Sequence, residues 1–134
     1  MRKISAICLL LVSVTLVSAQ YSLRVEINNL ENNKGVVIVD LLDKNEETVM
    51  DEKSEIANNK CTIIFKDLKA GTYAIRCFHD GNNNGELDTN FIGIPKEGFG
   101  FSNDACGKFG PKKFSEWLFE VQGDTKLQIT TNYL

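Results

Sequence analysis

From Tyr21 onward apolar and polar residues alternate with a period of two, and that rhythm admits strands and little else. Leu23, Val25 and Ile27 share one face of a first strand, Cys61, Ile63 and Phe65 one face of a later strand, and Tyr73, Ile75 and Cys77 one face of the next. Alternation of this kind is the mark of a half-buried strand. Val36 to Leu42 is an apolar, β-branched run, as expected of a central strand. Asn28 to Lys34 is a turn-rich stretch closed by Gly35, and the charged segment Asp43 to Asn59 predicts a loop with one short edge strand. No repeat and no amphipathic helix of useful length interrupts the pattern. The spacing Phe65-Lys-Asp-Leu-Lys-Ala-Gly-Thr-Tyr73 predicts a corner at which a strand crosses to a second sheet. There Gly71 supplies an unusual backbone angle and the Tyr73 hydroxyl bonds back to the main chain. About seven strands with such a corner predict an all-β, two-sheet antiparallel sandwich.

Residues 1–19 read as an export signal rather than as part of that domain. Arg2 and Lys3 open it, Ile7 to Val17 is mostly apolar, and Val17-Ser18-Ala19 offers the small residues of a cleavage site. The apolar run is too short for a lasting membrane anchor. Cleavage after Ala19 would leave a single domain, residues 20–134, in the periplasm or outside the cell. The whole chain has 15 Lys and Arg against 18 Asp and Glu; losing Arg2 and Lys3 leaves 13 against 18, a net charge of −5. That balance argues against nucleic acid and anionic membranes as partners, and a monomer is expected. Export also places Cys61, Cys77 and Cys106 in an oxidising compartment, where Cys61 and Cys77, on consecutive strands, are the expected disulfide.

After His79 the alternation stops. Residues 80–112 hold seven of the ten glycines and both prolines, yet also Phe91, Ile92, Ile94, Phe99, Phe101 and Phe109. An excursion so long and so rich in apolar anchors is expected to be ordered and functional.

Its first nine residues, Asp80-Gly-Asn-Asn-Asn-Gly-Glu-Leu-Asp88, match the opening of an EF-hand-type calcium loop. Asp80, Asn82 and Asn84 stand where side-chain oxygens converge on a hard cation, and Gly85 where the chain must turn with positive φ. Glu86 would offer its carbonyl, Asp88 a direct or water-mediated ligand, and Leu87 the inward apolar anchor. Position 12 is Phe91 instead of a bidentate Glu, and a strand rather than a helix enters the loop. Glu97, Asp104 or Glu86 itself would have to supply the missing carboxylate. With so few charges, a calcium Kd of ~10⁻⁴ to 10⁻³ M is expected. Asn, Asp and Gly also cluster in plain turns; it is the joint alignment of Asp80, Gly85, Leu87 and Asp88 that favours a cation.

His79 is the only histidine and has no neighbouring nucleophile, so it reads as a strand-end residue bracing the loop. Phe99, Phe101 and Trp117 offer either an aromatic platform for a glycan or peptide or, the simpler expectation, a plug for the open end of the sandwich.

The segment Gly71 to Asn90, followed by Gly93 to Asn103, resembles the signature of an uncharacterised family of exported bacterial proteins, the domain of unknown function DUF2141. The signature falls on His79, Asp80, Asn82, Asn84, Gly85, Asp88, Asn90, Gly93, Pro95, Glu97, Gly100, Ser102 and Asn103. The resemblance implies a periplasmic or secreted single domain with a prealbumin-like or immunoglobulin-like sandwich, and it implies no activity.

The expected function is therefore a non-enzymatic, calcium-stabilised module that binds a surface protein or glycan. A hydrolase or lyase using His79 with Glu97 or Asp80 is the first alternative, and a structural subunit of an envelope assembly, adding strands to partners through its edges, the second.

Overall fold

The computed structural model describes residues 10–14 and 18–134. The expected export signal thus lies largely outside the described residues, among which no helix is long and apolar enough to cross a membrane. Among the described residues ten strands follow in order: β1 (Tyr21–Asn28), β2 (Val36–Asp43), β3 (Thr48–Glu55), β4 (Cys61–Leu68), β5 (Gly71–Asp80), β6 (Phe99–Phe101), β7 (Cys106–Gly107), β8 (Gly110–Pro111), β9 (Phe119–Val121) and β10 (Thr125–Thr130). One sheet has the order β10-β1-β4. The other runs β3-β2-β5-β6, with β9 also pairing β5, and β7 and β8 form a small hairpin.

The alternating residues point where their period places them. Leu23, Val25 and Ile27 of β1 and Ile63 and Phe65 of β4 meet Val37, Val39 and Leu41 of β2 and Ile75 and Cys77 of β5 in one buried cluster. The sheets therefore pack face to face as an open sandwich. Each fully buried Leu, Ile, Val or Phe contributes roughly 1.5–3 kcal/mol through the apolar surface it withdraws from water. One pairing departs from the antiparallel expectation: β10 lies parallel to β1, Leu23 opposite Thr125 through Asn28 opposite Thr130.

The corner forms where expected. β4 belongs to the three-stranded sheet and β5 to the other, and between them the Tyr73 hydroxyl donates to the Lys69 carbonyl at 2.7 Å. The left-handed residue there is Asp67 (φ 61°), not Gly71, at which a Cβ would meet nothing closer than the Tyr73 ring at 3.6 Å. β3 is a full eight residues long rather than a short edge; water bathes nearly all of it, so no alternation marks it in the sequence. The stretch from Phe114 begins as a single 3-10 turn, and only Phe119–Val121 is strand.

The expected Cys61–Cys77 bridge is not formed. Both are buried free thiols on strands of opposite sheets, and the Cys77 thiol points at the Gly100 carbonyl, 3.6 Å away. Burial pushes the Cys61 thiol up to about 11 and Cys77 higher still, so neither is a thiolate at neutral pH.

Candidate metal centre

The excursion leaves β5 at its last residue and folds back on itself. Asp80, only 1% exposed, accepts the Asn84 N–H at 3.1 Å through Oδ1 and the Gly85 N–H at 2.8 Å through Oδ2. A carboxylate that collects two backbone donors shapes the turn around itself. Gly85 has the positive φ its position demands, 78°. The Asn84 N–H also reaches Asn82 Oδ1 at 3.3 Å, and the Glu86 N–H reaches Asn84 Oδ1 at 3.0 Å. The two amide nitrogens converge on one acceptor: Asn82 Nδ2 donates to Asp88 Oδ2 at 2.6 Å and Asn84 Nδ2 to Asp88 Oδ1 at 2.7 Å.

A second turn then brings the chain back. Asn90 Oδ1 accepts the N–H groups of Ile92 and Ile94, both at 3.0 Å, while Lys96 N–H bonds the Asp88 carbonyl at 2.8 Å. This return carries Glu97 to Asp88. Burial, the hydrogen bond with Asp88 and the charges of Asp88 and Asp80 together push the Glu97 carboxyl up to about 7. Asp88 is held below the usual carboxylate range by Glu97 first and then by Asn84 and Asn82. Glu97 Oε2 is sealed from solvent, and no donor among the described residues reaches it.

Of the residues expected to hold calcium, the structure gathers Asp80, Asn82, Asn84, Asp88 and Glu97. Glu86 contributes only its N–H to the turn, and its side chain is exposed. Asp104 serves elsewhere, its Oδ1 accepting the Thr130 N–H at 2.8 Å. Leu87 is no inward anchor: it is 37% exposed and faces an apolar groove. Phe91, in the twelfth position, is 99% exposed.

His79 is buried, with both ring nitrogens engaged. Nε2 lies 2.6 Å from the Lys34 carbonyl, which can only accept, so Nε2 carries a proton; in the neutral ring Nδ1 accepts from the Tyr133 hydroxyl at 3.1 Å. The Tyr133 oxygen in turn accepts the Glu31 N–H at 2.8 Å. Gly35 completes the frame, since a Cβ there would stand 2.0 Å from the Asp80 carbonyl oxygen. Lys34 and Tyr133 lie far from the loop in sequence and carried no signal of their own. Ser102 and Asn103 act structurally. The Ser102 hydroxyl donates to the Trp117 carbonyl and accepts the Ile75 N–H, while Asn103 Nδ2 donates to the carbonyls of Glu116 and Leu118.

The donors gathered at the loop are all oxygen, the set that suits a hard divalent cation. Carboxylates alone do not complete a cage. Among the described residues no three His, Cys, Asp or Glu side chains stand in metal-holding geometry, so the amides of Asn82 and Asn84 would have to supply the remaining ligands.

No curated protein and no solved structure matches this chain. A family model does, over residues 25–130, which takes in both sheets and the entire excursion, and the chain belongs to that family, described as an uncharacterized protein conserved in bacteria (DUF2141).

Proposed function

We propose that the chain is an exported, non-enzymatic β-sandwich module whose Asp80–Asp88 loop, closed by Glu97, binds calcium weakly and so stiffens a loop end that contacts a surface protein or glycan. One observation carries the cation reading. Glu97 Oε2 is buried beside two other carboxylates with no donor among the described residues, and a buried acceptor left unmatched is costly unless a proton or a cation meets it. When bound, calcium would take that place, held by Glu97 and Asp88 with the amide oxygens of Asn82 and Asn84, while Asp80 keeps its two backbone donors. The two amides, which now turn nitrogen toward Asp88, would turn oxygen instead. Acid–base chemistry at His79 finds no support, because Lys34 and Tyr133 occupy both ring nitrogens. Strand addition at β3 is opposed by the charges of Asp51, Glu52, Lys53 and Glu55 along that edge.

Calcium titration with thermal melting tests the reading. With a Kd of ~10⁻⁴ M, 1 mM calcium should stabilise the fold by about 1.4 kcal/mol, a rise of about 5 °C in a domain of this size. Glu97→Gln should abolish the rise while leaving the calcium-free fold intact. A wild-type melting curve indifferent to millimolar calcium would defeat the proposal.

A further inference from the structure

The five-stranded sheet turns apolar residues outward as well as inward. Leu42, Ala74, Phe99, Phe101 and Trp117 form a second buried cluster on that face, with Phe78 packed against it. The chain does not cover it fully. Between the excursion and the β7–β8 hairpin lies a groove of about 600 Å³ with Phe99, Phe101 and Trp117 on its floor. Leu87 and Ile94 form one wall and Phe109 the other. These wall residues stay in water, 37%, 40% and 94% exposed.

Basic residues border the groove: Lys108 precedes and Lys112 follows the lining segment Phe109–Pro111, and the Lys108 ammonium stands 5.9 Å from the centre of the Phe109 ring. Within the groove the charged residues are Asp40 and Arg76, bonded to each other at 2.9 Å, so the floor carries no net charge.

We propose that this groove, formed by the outer face of the β2–β5–β6 sheet and the two loops above it, binds a short segment of a protein partner that inserts bulky apolar side chains and sets acidic side chains against Lys108 and Lys112. The inference deepens the recognition half of the proposed function by naming the partner's chemistry; it does not depend on calcium. A volume of this size is ordinary for a specific pocket and accepts a few side chains. Occupation would bury wall residues that nothing among the described residues covers, and exposed apolar grooves rimmed by polar residues mark such contacts. A bilayer fits less well: a flat surface would leave the concave floor unfilled. A single-chain lipid acid also fits less well, because Asp40 already holds the one cation within the groove.

Trp117 is the chain's single tryptophan and lies on the groove floor, so its emission reports occupation. Panning a random linear peptide library against the folded chain should enrich sequences that pair bulky apolar residues with Asp or Glu. Such peptides should shift Trp117 emission saturably. They should lose at least ten-fold in affinity on Phe109→Ser, a change at an exposed side chain that spares the fold, and at least five-fold on the double change Lys108→Glu, Lys112→Glu. Failure to enrich any sequence, enrichment without the apolar–acidic pairing, or affinity indifferent to Phe109→Ser would each overturn the proposal. So would vesicles of phosphatidylglycerol binding in preference to the selected peptides. Each measurement is repeated in a calcium chelator. Binding that persists there upholds the groove even where the calcium reading fails, and binding that needs calcium overturns the claim that the groove acts without it.

Discussion

The sandwich has two outer faces, and they are built to opposite rules. On the three-stranded sheet the outward positions include Arg24, Glu26, Thr62, Lys66, Lys126 and Gln128, with Glu26 shared between Arg24 at 3.4 Å and Lys126 at 3.3 Å. On the five-stranded sheet the outward positions of β2 and β5 include Leu42, Ala74 and Phe78, and the chain spends residues 99 to 121 returning to cover them. A period of two says which side chains share a face. Whether the second face meets water is decided by what the chain lays over it.

Four measurements would sharpen or break this contrast, the largest effect first. Trp117→Ala, at a site 7% exposed, should cost about 3–5 kcal/mol in urea unfolding, as deletion of a buried aromatic does. Ile64→Ala on the opposite face, 44% exposed, should cost less than about 1 kcal/mol. Equal losses would erase the distinction between the faces. Asp80→Ala without calcium should cost about 2–3 kcal/mol, because it strips two backbone N–H groups of a charged acceptor. A loss under about 0.5 kcal/mol would mean that the turn holds without its carboxylate.

The third measurement is the dependence of stability on pH in a chelator. Glu97 titrates near 7 in the fold against an ordinary 4.5, so the folded state prefers the protonated form. Its contribution is present in full below about 4.5 and is lost as pH rises to about 7. Asp88 acts with the opposite sign, being lowered from 3.8, and its contribution is lost only in stronger acid. The melting temperature of the wild type relative to Glu97→Gln should therefore fall from pH 5 to pH 8, and calcium should restore it at the upper end. A flat difference would show that Glu97 does not feel Asp88 and Asp80. Smallest of all, Lys126→Ala should change stability by no more than about 0.5 kcal/mol, since exposed ion pairs contribute little; a loss above 1 kcal/mol would show that the polar face is more than a solvated surface.

The sandwich, the corner and the faces of β1, β4 and β5 were legible because each rests on local rules of period and turn chemistry. The Asp80–Asp88 turn was legible for the same reason, spacing alone placing Asp80, the two amides and Gly85. Glu97 could be named only as one of three candidates, because its approach to Asp88 depends on the Asn90 turn between them. The parallel seating of β10 beside β1 and the bracing of His79 by Lys34 and Tyr133 are contacts across most of the chain, and no local pattern marks them. The aromatic residues were expected to plug the end of the sandwich. They cover its outer face instead, because Leu42, Ala74 and Phe78 leave that face as apolar as the inner one.

An EF-hand carries its own pair of helices and so can be moved between proteins as a unit. Here the calcium-type turn borrows its footing: the backbone of residues 34 and 35 underlies it, and the penultimate residue, Tyr133, props the histidine from which it springs. A peptide spanning residues 79–98 has none of these supports and should stay unstructured, with or without metal. To transplant this turn an engineer must take the whole sandwich.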